Sequence, residues 1–454
     1  MQRRHLLQAS LIGAAATAGL STSTRLLAAP AGTPRFLLVF LRGGYDALSL
    51  LVPTSAYYRE VRPNIAIVEK AADKAGAGAA PGALNLDTDW GLHPALAKSV
   101  MPLVALGQAR FVPFAGTDDL TRSHFETQDS IELGQALTGR RDFGSGFLNR
   151  LAGVVQGSGQ PAGRDAIAFT DQLPLVMRGE LSVANLSLKV EPRAGDDKLR
   201  AALAGMYRDH PLQGRIAESF EVRQEAAKDI AGSPAASASA AASSPATMAA
   251  AGGMGAMAPA GTTGMPGMPG MGGMAGEQVS ANRGAINAKG FELEARRIGR
   301  LMRERYALGF VDVGGWDTHV GQGNGAGYLA SRLEELGRGV AAYADELGPA
   351  AWRNTVVVVL SEFGRTMREN GNRGTDHGHG SVHWVLGGGL GGGAAVVGEQ
   401  VPIEARTLFQ NRDLPVLNEY RAVLGGVLAR QFALSPAQLD QVFPGAQPKD
   451  LGLV

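Results

Sequence analysis

Short, wholly apolar runs alternate along this chain with longer stretches of helical spacing, and several of the runs end in glycine followed by an acid or an imidazole. The clearest run is Val356 to Leu360. It is too short for a buried helix and β-branched until its last residue, which predicts a strand covered on both faces, as in a parallel sheet. FLLVFL (36–41) and GFVDV (309–313) repeat the pattern, and ARFVPFAG (109–116) and AIAFT (166–170) add further strands. Between them, FELEARRIGRLMRERY (291–306) carries Ala295, Ile298, Leu301 and Met302 on one face. YLASRLEELGRGVAAYADEL (328–347) places Leu329, Leu333, Leu336, Val340, Tyr343 and Leu347 at steps of three and four. Both predict amphipathic helices. The second leads from the 309–313 strand to the 356–360 strand, which makes a βαβ unit. A last strand pair, VHWVLGG and AAVVG, and helical segments at 415–431 and 436–443 follow. The expected fold class is α/β, a central mostly parallel sheet flanked by helices.

Two stretches depart from this pattern. Residues 1–31 contain QRRHLLQ, an apolar run from Leu11 through Leu20, and LLAAPA before Gly32. The run is too short and too rich in glycine, alanine and threonine to span a membrane, and it resembles a twin-arginine export signal. A disordered basic N-terminus is the alternative. Residues 231–284 are mostly alanine, serine, glycine, proline and methionine, a composition that buries too little side chain to offset its ordering entropy. They predict a disordered insertion. The methionines between Met248 and Met274 offer thioether ligands for Cu(I), but no cysteine or histidine stands among them, and the plain insertion is the preferred reading. The division is then a signal peptide at 1–31, one α/β domain in two parts at 32–230 and 285–454, and the insertion at 231–284.

Composition narrows the chemistry. A net charge of +1 over 454 residues gives no sign of a nucleic-acid partner. With no cysteine, zinc fingers, iron–sulfur clusters and disulfides are excluded, so any metal must be held by carboxylate, imidazole or hydroxyl. G-x-S-x-G, H-E-x-x-H and the phosphate-loop Gly-Lys pair are absent. GGGLGG (387–392) fits a dinucleotide fingerprint only formally, because it opens no helix.

Ligands in open α/β sheets bind beyond the carboxyl ends of the strands, and candidate residues stand there. Asp46 follows the first strand, Asp317 and His319 follow the 309–313 strand, and Glu362, Asp376 and His377 follow the 356–360 strand. Acids and imidazoles flanked by glycine suit a divalent ion, Zn²⁺, Mn²⁺, Mg²⁺ or Ca²⁺. His383 alternates into the VHWVL strand and is expected to be packed, while His379 is left open. Ser123, after a strand and before a helix, is the candidate nucleophile, with Thr121 in reserve. Ser123-His-Phe-Glu126 reads equally as a capping box. Arg42 and Arg365 are candidates to clamp phosphate or sulfate oxygens, with surface ion pairing as the alternative.

Taken together, the twin-arginine leader, LVFLRGGYDALSLLVP, TRSHFETQ, GGWDTH, LSEFGRT and DHGHGSVHWVLGGGLGGG resemble a large bacterial family of exported proteins of unknown function in the alkaline phosphatase/sulfatase-like superfamily. The motifs span almost the whole chain after the leader. The resemblance implies an alkaline phosphatase-like sheet, metal ions at its strand ends, and a Ser, Thr or formylglycine nucleophile attacking a phosphate or sulfate ester. Under it, Asp46 matches the acid that ends the first strand and binds metal, and Ser123 falls near the nucleophile's place. Asp317 and His319 resemble an Asp/His metal pair at a shorter spacing. His377 resembles the last ligand, and Asp376 has no sure counterpart. Glu362 takes the place of an aspartate whose neighbouring histidine is here Phe363, which puts a second metal in doubt, and without cysteine formylglycine chemistry is disfavoured. The implied protein is a periplasmic metal-dependent hydrolase of small-molecule or polymer-linked phosphate or sulfate esters, delivered by the twin-arginine export machinery, with no transmembrane span in the mature chain. The alternative is a catalytically inactive exported binding or assembly protein that retains the fold.

Overall fold

The apolar runs become six principal strands: β1 (Arg35–Leu41), β2 (Ala109–Gly116), β3 (Asp165–Phe169), β4 (Tyr306–Gly314), β5 (Thr355–Ser361) and β6 (Ser381–Leu386). The computed structural model describes residues 32–68, 81–157, 165–188, 196–208, 210, 213 and 280–454. The 1–31 signal and most of the 231–284 insertion, with its methionines, therefore lie outside the described residues. Of that insertion, 280–284 are described and form a short turn against the sheet.

The strands lie in the order β2, β6, β5, β1, β4, β3 within a nine-stranded sheet that two-residue strands at Asn418–Glu419, Ala184–Asn185 and Ile286–Asn287 complete. β1 pairs in parallel with both β5 and β4, and β4 with β3, whereas β6 runs antiparallel to β5 and β2. The fold is α/β with a mixed, mostly parallel central sheet. The βαβ unit expected around the 328–347 helix is present, but β1 sits between its two strands. AAVVG forms no strand. Val396 makes only an isolated bridge to Phe111, because further along β2 Pro113 has no N–H to donate and Asn418–Glu419 takes the edge at Ala115 and Gly116.

Successive residues of β1 feed two cores. Leu37, Val39 and Leu41 pack on one face with Ile298 and Leu301 of α3 (Phe291–Glu304) and Leu333, Leu336 and Val340 of α4 (Tyr328–Trp352). Phe36, Leu38 and Phe40 pack on the other with Leu148 and Leu151 of α2 (Phe147–Gly157), Val423 and Val427 of α5 (Tyr420–Phe432) and Leu439 of α6 (Pro436–Val442). Strands buried on both faces cannot alternate apolar and polar residues, which explains their unbroken apolar runs. The 328–347 helix breaks where Gly348 takes φ 73° and Pro349 removes a donor, then continues to Trp352. No helix among the described residues is long and apolar enough to cross a membrane.

Register fixes where the chemistry collects. Leu41 lies level with Ser361 on one side and Val313 on the other, so the loops after β1, β4 and β5 leave the sheet at one edge. β6 enters from that edge because it runs backwards, and Ser381 pairs with Ala115 near the end of β2. Segments that follow residues 41, 116, 314 and 361, and the one that precedes 381, are thereby brought together.

Buried ion pairs brace this edge and use two residues that the sequence placed in the site. Arg42, expected to clamp an anion, is 2 % exposed and donates to Asp312 (2.7 Å), Gln128 (2.9 Å) and Glu132 (2.9 Å). Asp46, expected as a metal ligand, accepts from Arg62 on both oxygens (2.7 and 3.0 Å), and from Ser49 and Gln322 (each 2.7 Å). Both oxygens are thus taken up by Arg62, Ser49 and Gln322. Burial pushes the Asp46 carboxyl up, but Arg62, Ser49 and Gln322 outweigh it and hold it below its ordinary value. A carboxyl depressed by folding stabilises the fold fully above the ordinary Asp value of 3.8, and that stabilisation is lost as pH falls through and below it. Asp46→Asn, which strands Arg62 in the interior, is expected to lower the unfolding free energy by roughly 3–5 kcal/mol at neutral pH and to flatten acid sensitivity below pH about 4. Urea unfolding at a series of pH values reads both effects, and an unchanged midpoint would refute the bracing role.

Candidate metal centre

Three imidazoles and one carboxylate converge at this edge. Asp317, in the loop after β4, places Oδ1 2.9 Å from His319 Nε2 and 3.4 Å from His377 Nε2, while Oδ2 lies 3.8 Å from His124 Nε2. His319 and His377 bring their Nε2 atoms to 3.1 Å of each other. The ligand-type atoms of His124, Asp317 and His377 all lie within 4.8 Å of one another.

Each ring is tethered from behind through Nδ1. His124, first residue of α1 (His124–Leu133), points Nδ1 at Glu362 Oε1 (2.8 Å). His319 points Nδ1 at Asp376 Oδ1 (3.1 Å), and His377 points Nδ1 at the Arg122 carbonyl (3.0 Å). Carboxylates and carbonyls only accept, so in every case Nδ1 carries a proton and Nε2 is the nitrogen turned inward, where it donates to Asp317 when protonated and offers a lone pair to an ion when it is not. Two lone pairs 3.1 Å apart repel unless a cation, a proton or a metal, lies between them. His124 Nε2 is buried without a hydrogen-bond partner, on the other side of Asp317, 3.8 Å from Oδ2. A carboxylate or carbonyl behind each ring is the arrangement by which proteins orient histidine ligands.

The loops permit this approach because glycine carries them. Gly43 takes φ 121°, and a Cβ there would meet the Asp317 nitrogen at 2.7 Å. After β5, Gly364 accepts from the Gly378 N–H (2.8 Å) and donates to the His379 carbonyl (2.9 Å), which zips the His377 segment to the Arg365 segment. Arg365, expected to clamp the ester, is instead 2 % exposed and donates to the carbonyls of Gly43, Gly44 and Thr375 and to Asp317 Oδ1. Both arginines of the expected clamp are thus internal, and neither is a surface ion pair. Phe363, where the resemblance leads one to look for a histidine, stacks against His124 (4.9 Å) and His377 (5.0 Å) and walls the site with an apolar ring.

The charges respond to one another. Burial raises the Asp317 carboxyl, but His124, His319, His377 and Arg365 overcome this and hold it far below the usual range. Burial likewise pushes His124 down, yet Asp317 and Glu362 pull it up to about 9. Glu362, fully buried, is lowered to about 2 by His124 and Gln128 against its desolvation. It also accepts the Gly43 N–H (2.8 Å). His377 is lowered, chiefly by burial. Asp376 is 52 % exposed, so the site opens to solvent on the His319 and His377 side.

The remaining expectations fall into place around this group. Asp317, His319 and His377 meet, while Glu362 and Asp376 join them one step removed, as acceptors behind His124 and His319. Ser123 caps α1 by position, but its side chain makes no cap hydrogen bond, so the capping box does not form and the half-buried hydroxyl stands between Arg122 and His124. Thr121 hydrogen-bonds Asp119 (2.7 Å). His379 stacks on Phe409 (4.9 Å), and His383 is fully buried in β6, with burial lowering it to about 3. The sequence expectations do not include His124. One signal was present: His124, Thr127, Gln128 and Glu132 form a polar stripe at helical spacing, and all four are buried.

No curated protein and no solved structure matches the chain. A family model does, over residues 33–443, a span that includes every residue of the site. The chain belongs to the DUF1501 family, proteins of unknown function.

Proposed function

We propose that the chain is an exported metal-dependent hydrolase of phosphate or sulfate esters, built on an alkaline phosphatase-like fold and carried to the periplasm by the twin-arginine machinery. The observation that carries the metal is the convergence of three Nε2 atoms on Asp317, each ring held by an acceptor at Nδ1. A set of three nitrogens and one carboxylate suits Zn²⁺ or another imidazole-binding ion better than Mg²⁺ or Ca²⁺, which prefer oxygen. When bound, such an ion supplies Lewis-acid stabilisation to an ester oxygen.

The chain's own residues account for the rest. Ser123 offers a hydroxyl at the start of a ten-residue helix, where free N–H groups favour an anionic group. Arg365 holds Asp317 in place and leaves the ester to the helix end. Phe363 limits water around the imidazoles. The ester is a small molecule or a group on a polymer, since the site opens past Asp376 and His319 to the surface.

A second reading rests on a different observation. Arg42, Arg62 and Arg365 all spend their donors inside the protein, so none of them is free to hold an anionic substrate. That favours an exported binding or assembly protein that keeps an ion and performs no hydrolysis.

Two measurements separate these readings. Equilibrium dialysis against Zn²⁺ is expected to give one tightly held ion per chain. Glu362→Gln, which alters the acceptor behind His124, should weaken binding roughly 10–100-fold, and Asp317→Asn or His124→Ala by more. A wild-type protein that retains no ion would end the metal proposal. Hydrolysis of an aryl phosphate and an aryl sulfate by the zinc-loaded protein is expected to fall by at least about 100-fold in Ser123→Ala, a conservative bound for loss of a nucleophile. Tight zinc binding with no turnover of either ester would select the second reading.

A further inference from the structure

The acceptor behind His377 differs from the other two. It is a backbone carbonyl, that of Arg122, and a carbonyl can hold a ring only if its own peptide is held. Arg122 sits at φ 53°, a left-handed conformation uncommon for any residue but glycine and kept where its surroundings impose it. Its side chain is anchored on Asp413. The Arg122 guanidinium donates to Asp413 Oδ2 from Nε (3.0 Å) and from its terminal nitrogen (2.6 Å), and to Gln410 (2.8 Å).

The same turn grips His377 a second time. Arg412 donates to the His377 backbone carbonyl (2.8 Å) and lies 3.4 Å from Asp413 Oδ2. The Leu414 carbonyl accepts from Gly380, three residues on from His377 (2.8 Å). The turn itself is closed by paired hydrogen bonds between Phe409 and Asp413, with Gln410 and Asn411 both at φ 52°. Asp413 is completely buried, and the bonds it makes with Arg122 and Arg412 end on a single oxygen. This buried carboxylate gathers two arginines, one beside the carbonyl that faces a ring and the other on that ring's own backbone.

We propose that Asp413 is the positioning residue for His377: through Arg122 and Arg412 the Phe409–Asp413 turn sets the tautomer and reach of that imidazole, and with them the affinity of the Asp317 centre. The inference rests on the metal reading for its effect on affinity, but not for its effect on the ring. Neither arginine nor Asp413 is hydrogen-bonded to a converging Nε2 atom, so the turn acts through the segments it holds, and His377 is the ring it grips twice.

The test is a double-mutant cycle with Co²⁺ as probe, Asp413→Asn against His377→Ala, on the full chain. Asp413→Asn is expected to weaken Co²⁺ binding roughly 10–100-fold and to shift the visible cobalt spectrum toward that of His377→Ala, while adding little in the His377→Ala background. Equal losses in both backgrounds would overturn the proposal, as would a lowered melting temperature with unchanged affinity and spectrum. The nitrogen NMR shifts of ¹⁵N-histidine-labelled, metal-free protein give a second readout that needs no ion. Wild type should hold His377 as the Nδ1–H tautomer, and Asp413→Asn should release it to a mixture. An unchanged tautomer refutes the inference even if the wild type binds cobalt, and a changed one supports it even if the wild type binds none. Should Asp413→Asn fail to fold, Arg412→Gln, at a side chain 39 % exposed, loosens the same ring from its backbone and is expected to shift both readouts the same way, more weakly.

Discussion

Asp317 carries a negative charge into a pocket where its side chain is only 9 % exposed, and the arrangement around it is the set of groups needed to make that tolerable. A bare carboxylate there would be costly. One guanidinium, that of Arg365, meets it directly, and three imidazoles turn their Nε2 atoms toward it. Because Arg365 must also reach the carbonyls of Gly43 and Gly44, the turn after β1 is drawn against the Asp317 loop, at a distance only glycine allows. The charge, the clamp and the glycines form one constraint, and removing any of them leaves the others unbalanced.

The scaffold delivers this constraint in layers. Strand register aligns the ends of β1, β4 and β5, and the reversed strand β6 brings the His377 segment back to the same edge. Buried pairs, Arg42 with Asp312 and Glu132 and Arg62 with Asp46, then fix the loops from below. Glu362, Asp376 and the Arg122 carbonyl fix the rings from behind. Only the last layer, the inward Nε2 atoms, is turned toward the centre of the group. The geometry of the group thus depends on residues that never touch its centre.

Much of this was legible in the residues. Val356 to Leu360 and FLLVFL read as two-face-buried strands because a parallel sheet leaves no polar side, and the 291–306 and 328–347 helices followed from their apolar spacing. Asp317, His319, Glu362, Asp376 and His377 stood out because strand-end glycines flank acids and imidazoles. Asp46, Arg42 and Arg365 looked the same by that criterion, yet they face inward partners. Position along the chain says that a charged residue is at the edge; it does not say which neighbour neutralises it. His124 went unnoticed for the opposite reason. It lies on a helix, where an isolated histidine is ordinary, and its meaning depends on Glu362, far along the chain. Ser123 kept its place at the helix start while its hydroxyl took no part in capping.

X-ray absorption at the zinc edge of the loaded protein tests the convergence on Asp317 most directly. Imidazole scattering from the three histidines, with nitrogen and oxygen neighbours at about 2.0–2.1 Å, is the result the structure predicts. A shell of water oxygens without imidazole scattering, or one that persists unchanged when Asp317 and His124 are both replaced, would contradict it.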